Sequence, residues 1–189
     1  TITYSVGGAG AQRALGVDVL KSLRKRISRG EVRLNLVAGV RKDVAKYYID
    51  AVKKLGLKKA LGKHVVVPMF DSRAHYFAGF NEILKTTDVL WTKPSELSFY
   101  TGLGLPIVMA PPLGSQEEFN RVWLQYMGGG VPQGNPKYTD EWLFDWIDSG
   151  GMARMAWSGY IEAPTHGVYR IEDIVHGRPS ELHELPMIV

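Results

Sequence analysis

Residues 88–120 read DVLWTKPSELSFYTGLGLPIVMAPPLGSQEEFN, and this stretch decides the fold. Two short apolar runs, residues 88–91 and 105–110, flank a helix opening at residues 92–96. The second run stops at Pro111 and Pro112, and a polar loop follows with Gly114, Ser115, Gln116 and Glu117. The order is strand, turn, short helix, strand, loop, helix start. Ligands of open α/β sheets bind outside the strand ends, where helices begin. Thirty-three residues thus supply two such junctions.

The same alternation extends towards the N-terminus. Residues 2–6 form an apolar strand that runs into Gly7, Gly8, Ala9 and Gly10. A helix is predicted over 11–28, because Leu15, Val19, Leu23 and Ile27 recur every four residues as one stripe. Arg29 and Gly30 close it. Residues 32–38 read as a second strand. Residues 42–55 follow as a helix with Val44, Tyr48, Ala51 and Leu55 on one face, stopped by Gly56. Residues 64–67 are a third strand, and Asp71 or Ser72 caps a helix through Leu84. Strands alternating with helices imply a parallel sheet covered on both faces, and right-handed crossovers wind it doubly. The predicted class is α/β, a Rossmann-like doubly wound parallel sheet with a helical C-terminal extension. The expected division is a Rossmann-like sheet domain over 1–127 and an extension over 128–189 packed on it. Within the extension, residues 128–136 (GGGVPQGNP) read as loop, helices are expected over 138–149 and 152–160, and residues 164–175 are expected as a last short element. Trp142, Phe144, Trp146 and Trp157 are expected to pack on the sheet domain. Any exposed remainder would meet a missing domain or a second copy.

Composition bounds the function. No run of eighteen apolar residues suggests a membrane span, and zero Cys excludes disulfides and cysteine-ligated metals. The start, TITYSVGG, shows neither an initiator Met nor a signal peptide, which suggests an excised domain or a processed chain, and the absence of Cys fits a cytoplasmic setting. The net charge of +4 hides an asymmetry: residues 13–63 carry fifteen Lys/Arg and four Asp/Glu, a net +11. That segment reads either as solvated helix faces or as a surface for phosphates, anionic lipid or nucleic acid, with an anionic membrane first and the protein peripheral to it. Aromatics are not interleaved with the basic residues, which argues against nucleic acid. No D-x-D pair and no zinc pattern of histidines points to a metal.

Glycines between the first strand and first helix let a ligand approach the backbone and expose N–H groups to it. The helix N-terminus adds partial positive charge, which favours phosphate. The dinucleotide fingerprint is incomplete, since Arg13 stands where the third glycine belongs and Ala38-Gly39 replaces an acid after the second strand. A tight turn without ligand is the alternative.

With these segments in view, the chain resembles the C-terminal, donor-binding domain of GT-B glycosyltransferases. It is most similar to the lipid-linked GlcNAc transferase of peptidoglycan synthesis and the galactolipid synthases. The resemblance rests on VGGAGAQ at 6–12, HVVVPMFDSRAHYF at 64–77, TKPSELSFYTGLGLP at 92–106 and PPLGSQEEFN at 111–120, and covers about residues 2–125. It implies a nucleotide-sugar ligand, UDP-sugar first, across the ends of strands one, four and five, with no other cofactor. Gly8, Ala9 and Gly10 would lie near the diphosphate, and Phe70 where backbone atoms bind the base. Gln116 and Glu117, with Ser115 ahead of them, match positions that bond sugar hydroxyls. Lys93 at the helix mouth is a phosphate candidate, and Ser95 lies in the same turn.

One departure stands out. The family has a Glu for the ribose hydroxyls five residues before the Gly of Gly-Leu-Pro, and Phe99 occupies that place here. Glu96, three residues earlier on the same helix face, is either its substitute or only a first-turn carboxylate. GT-B sites lie between two domains, so the resemblance implies a missing N-terminal acceptor domain, an unassigned catalytic base and an isolated chain without transferase activity. The alternatives are a non-catalytic domain for assembly or regulation, and part of an NDP-sugar epimerase.

Overall fold

The structure, a computed structural model, describes residues 1–5, 10, 12–95, 97–164 and 167–177. In chain order the elements are β1 (Ile2–Ser5), α1 (Arg13–Ser22), α2 (Arg24–Arg29), β2 (Leu34–Val37), α3 (Lys42–Lys54), a 3-10 turn (Lys58–Ala60), β3 (Val65–Val66), α4 (Arg73–Leu84) and β4 (Val89–Thr92). There follow α5 (Leu97–Gly102), β5 (Ile107–Met109), α6 (Ser115–Tyr126), β6 (Gly130–Pro132), a second 3-10 turn (Pro136–Tyr138), α7 (Thr139–Asp148), α8 (Gly151–Glu162) and α9 (Gly167–Val175). The six strands form one sheet in the order β3-β2-β1-β4-β5-β6, and every pairing is parallel. This is the Rossmann-like α/β fold that the alternation of elements predicts.

Strand alternation assigns side chains to the two faces. Ile2, Tyr4, Leu34, Leu36, Val89 and Trp91 share one core with Val19, Leu20, Leu23 and Ile27 of α1–α2, Val44, Tyr48 and Val52 of α3, and Leu143 of α7. On the opposite face Val37 and Leu90 pack against Phe80 and Leu84 of α4. Farther along that face Ile107 and Met109 pack against Leu97 and Leu124. The polar residues there are satisfied in series. Asn35 Nδ2 donates to Thr3 Oγ1 at 3.0 Å, Thr3 and Thr87 hydroxyls meet at 2.7 Å, and Thr87 Oγ1 donates to the Ile83 carbonyl at 2.8 Å. This chain pins α4 to the sheet without leaving a buried hydroxyl unpaired.

Local signals hold at the helix ends. Gly30 ends α2 in the left-handed conformation at φ 77°, and the Ser72 hydroxyl caps α4 by accepting from His75 N at 3.2 Å. The single helix expected over 11–28 is two, broken at Leu23. Leu23 N still bonds the Val19 carbonyl and Ile27 N the Leu23 carbonyl, so the apolar stripe runs through the break.

The stretch 128–136, read as loop, contains the sixth strand. Gly and Pro argue locally for a turn, but β6 is an edge strand, where Pro132 forfeits no ladder bond on its free side. Gly130 is required by packing: a Cβ there would stand 2.5 Å from Leu124 Cδ2 and 2.7 Å from the Ile107 carbonyl. Trp142 packs inward, its ring centroid 5.4 Å from that of Trp91 and its Nε1 donating to the Asn135 carbonyl at 3.0 Å. Trp157 remains exposed.

Candidate functional site

The strand order reverses between β1 and β4, and a cleft of about 340 Å³ opens there at the carboxyl ends of the strands. Ser5, Val37 and Thr92 end their strands at its floor. Gly39, Arg41 and Val44 supply one wall from the start of α3. Arg73, Tyr76 and Phe77 of α4, with Ser95 and Tyr100, supply the other. Gly10 closes the cleft over β1 at φ 63°, and a Cβ there would meet Val44 Cγ2 at 2.8 Å. A residue with a side chain would therefore fill the gap between the glycine turn and α3, besides straining the backbone.

The α4–α5 wall is largely aromatic. Phe70 meets Tyr76 edge-on at 5.7 Å, Tyr76 stacks on Phe80 at 5.5 Å, and Phe80 meets Tyr100 at 6.1 Å. Gly79 makes room for this series, since a Cβ on it would lie 2.1 Å from Phe70 Cε1. Phe77 projects beyond the series and is 61% exposed, a flat apolar surface at the cleft lip.

The α3 wall is basic. Arg41 Nε and Nη2 each donate to Asp43 at 2.9 Å, and Arg13 Nη1 lies 3.3 Å from the same carboxylate. Hydrogen bonds from Arg41 outweigh burial and, with the charge of both arginines, hold Asp43 at about 2. Arg73, on the facing wall, makes no ion pair with a described residue. No Asp or Glu is among the described residues that line the cleft. At the base of the α3 wall Tyr48 is fully buried, and its hydroxyl has no hydrogen-bond partner among the described residues. Burial, first, and the neighbouring Tyr47 push its pKa far above the ordinary tyrosine value, so the hydroxyl stays protonated.

On the β5 side the loops bond one another. Lys93 Nζ lies 2.6 Å from Glu117 Oε1, and Leu113 N donates to Glu117 Oε2 at 2.7 Å. Asn120 Nδ2 donates to the Pro94 carbonyl at 2.9 Å, and Gln12 Nε2 to the Pro111 carbonyl at 3.0 Å. Burial alone would raise the Glu117 carboxyl, but the Lys93 ammonium and the Leu113 amide together hold it below its ordinary value.

Of the residues singled out in the sequence, Gly10 and Ser95 line the cleft, and Phe70 stands behind its aromatic wall. Lys93 and Glu117 pair with each other, while Ser115 and Gln116 lie exposed at the start of α6. Gly8, Ala9 and Glu96 lie outside the described residues. The sequence reading centres on β1, β4 and β5, whereas the cleft opens over β2, β1 and β4. Arg41, Arg73, Tyr76, Phe77 and Tyr100 were missed. The one signal for them was two adjacent aromatics in the first turns of the helix after β3, where a surface helix is ordinarily polar. Among the described residues no cluster of His, Asp and Glu is placed to hold a metal ion, and no helix is long and apolar enough to cross a membrane.

With this geometry in view, the chain superposes on S. aureus MnaA in a co-structure with UDP, with a TM-score of 0.62 and 12% identity. The match covers 92% of this chain and 44% of that one. It also superposes on the spinosyn forosaminyltransferase SpnP, with a TM-score of 0.51 and 19% identity, over 93% of this chain and 43% of that one. The fold is shared. This chain spans less than half the length of either protein. No family model matches it, and no curated protein matches it in sequence.

Proposed function

We propose that this chain is the nucleotide-sugar-binding domain of a GT-B glycosyltransferase, with UDP-sugar the first candidate donor and the acceptor domain outside the chain. The observation that carries the reading is the cleft at the β1/β4 switch point, basic on one wall and aromatic on the other. A nucleoside diphosphate has the same polarity, a flat base at one end and an anionic diphosphate at the other. Phe77 and Tyr76 offer the base a stacking surface. The start of α3 with Arg41, and Arg73 across from it, offer the diphosphate positive potential. The volume falls in the usual range for small-ligand clefts, roughly 300–1,000 Å³.

In this reading the domain contributes positioning and charge stabilisation to sugar transfer. As the glycosidic bond to the donor phosphate breaks, negative charge grows on the departing diphosphate. Helix N-termini and arginines fixed beforehand stabilise that charge without reorganising. The missing domain would bring the acceptor and the base that deprotonates it. The exposed basic residues of α1–α3 would face an anionic surface, which vesicle sedimentation at low and high salt would check.

Titration calorimetry with UDP, UDP-GlcNAc, UDP-Gal and dTDP-sugars tests the proposal. A submillimolar Kd is expected for at least one, weakened tenfold or more by Gly10→Val. Absence of heat with every nucleotide at millimolar concentration would instead support a non-catalytic domain. Two observations favour that second reading: Phe99 stands where the resembled family keeps a ribose-binding carboxylate, and Lys93 and Glu117 are engaged with each other.

A further inference from the structure

We propose that the outer face of α5, α6 and α8 is a self-association surface, on which a second copy of this chain docks by two-fold symmetry. The inference does not rest on the nucleotide reading: Phe99 neighbours the cleft-lining Tyr100, but no described residue of α6 or α8 lines the cleft.

Seven large apolar side chains project from it. Phe99 on α5, Leu103 in the turn just after it, Phe119, Val122 and Tyr126 on α6, and Trp157 and Tyr160 on α8 are between 52% and 89% exposed. Their spacings of three, four and seven residues put each set on one helix stripe. The three helices are set flush by small residues. A Cβ on Gly159 would stand 2.8 Å from Thr101 Cγ2, and one on Gly129 would stand 2.7 Å from the same atom. Gly104 lies against Tyr160, and Gly128 against Ser158. A side chain at Gly159 or Gly129 would not fit, so α8 and the turn after α6 close directly on α5, and we treat the outward stripes of the three helices as one patch.

The size of the patch identifies its occupant. Full burial of an aromatic side chain removes about 150–250 Å². Seven residues at these exposures therefore offer on the order of 1,000 Å². The largest apolar patch on an ordinary monomer is about 300–600 Å². A stable complex buries about 800 Å² on each partner. Charge allows two copies to meet here. Glu117, Glu118 and Glu162 on these helices are balanced by Arg121, Arg154 and Lys93. The opposite side, with α1–α3, belongs to the segment of net +11 and would repel its own copy. A partner that completes the cleft would sit over the strand ends, so it would leave this face uncovered. Two-fold contact is the commonest way to bury one patch against itself.

Sedimentation equilibrium of the 189-residue chain from 1 to 200 μM is the test. A monomer–dimer equilibrium in the micromolar range is expected. Tyr126→Glu and Trp157→Glu should each weaken it at least tenfold without lowering the melting temperature of the dilute monomer. Tyr138→Glu, an exposed aromatic beside α1, should leave it unchanged. A chain that stays monomeric at 200 μM overturns the proposal and leaves the face to a different partner. So does a dimer indifferent to Tyr126→Glu and Trp157→Glu, or one weakened equally by Tyr138→Glu.

Discussion

Lys93 Nζ and Glu117 Oε1 stand 2.6 Å apart, and this pair ties the loop after β4 to the first turn of α6. Both side chains are less than one-fifth exposed, at 17% and 18%, so the pair lies between the weak surface case and the fully buried one. Lys93→Met keeps the stem and removes the charge, and should destabilise the fold by about 1–2 kcal/mol at neutral pH. The folded Glu117 pKa is lowered, so its contribution is present above the unfolded value of about 4.3 and is lost as pH falls through the folded value. Urea unfolding at pH 7 and pH 3 should show a larger penalty at the higher pH. An equal penalty at both would assign it to packing.

Gly79→Ala should destabilise although it lies inside α4. Helix propensity alone would favour Ala by about 1 kcal/mol. The new Cβ would instead fall 2.1 Å from Phe70 Cε1, and overpacking of that kind costs about 1–3 kcal/mol. Phe70→Leu in the same chain should recover part of the loss, because the two sites share one clash. Additive losses in the double mutant would show that the strain is elsewhere.

Tyr48→Phe should leave stability unchanged or raise it by up to about 1 kcal/mol. A buried hydroxyl without a partner carries a desolvation cost of about 1–3 kcal/mol, and Phe removes the group while keeping the ring. The denaturant midpoint is the readout. A fall equivalent to more than about 1 kcal/mol would mean the hydroxyl is bonded in solution.

Gln133→Leu should cost about 1–3 kcal/mol. Trp91 is fully buried, and its Nε1–H donates to Gln133 Oε1 at 2.9 Å. Leu leaves that donor without an acceptor, whereas Gln133→Glu supplies one. Thermal unfolding of the two variants should therefore separate them, with Leu the lower. Equal melting temperatures would show that water reaches the indole.

The alternation of apolar runs with period-four stripes identified five strands and the helices between them, because those signals depend only on which face of a local element meets the core. Gly30, Gly56 and Ser72 marked helix ends for the same reason: left-handed backbone and side-chain capping are settled within a few residues. Of the residues singled out in the sequence, Gly10 and Ser95 line the candidate cleft, Gly10 because the turn there needs a left-handed backbone. Elsewhere the tertiary structure decided. The glycines and proline of β6 read as loop until β5 supplies a ladder and Leu124 fills the space above Gly130. Trp142 reads only as one stripe of an amphipathic helix, and the choice of Trp91 as its neighbour comes from docking α7 beside β4. Phe70 and Gly79 are nine residues apart, and their fit depends on how the loop after β3 folds back over α4. Lys93 and Glu117 look like two separate ligand-facing charges in the sequence. Only the parallel register of β4 and β5 brings their loops close enough to pair, which moves the open cleft towards β2. Local backbone preference is written residue by residue, but which groups remain unpaired depends on contacts between distant segments.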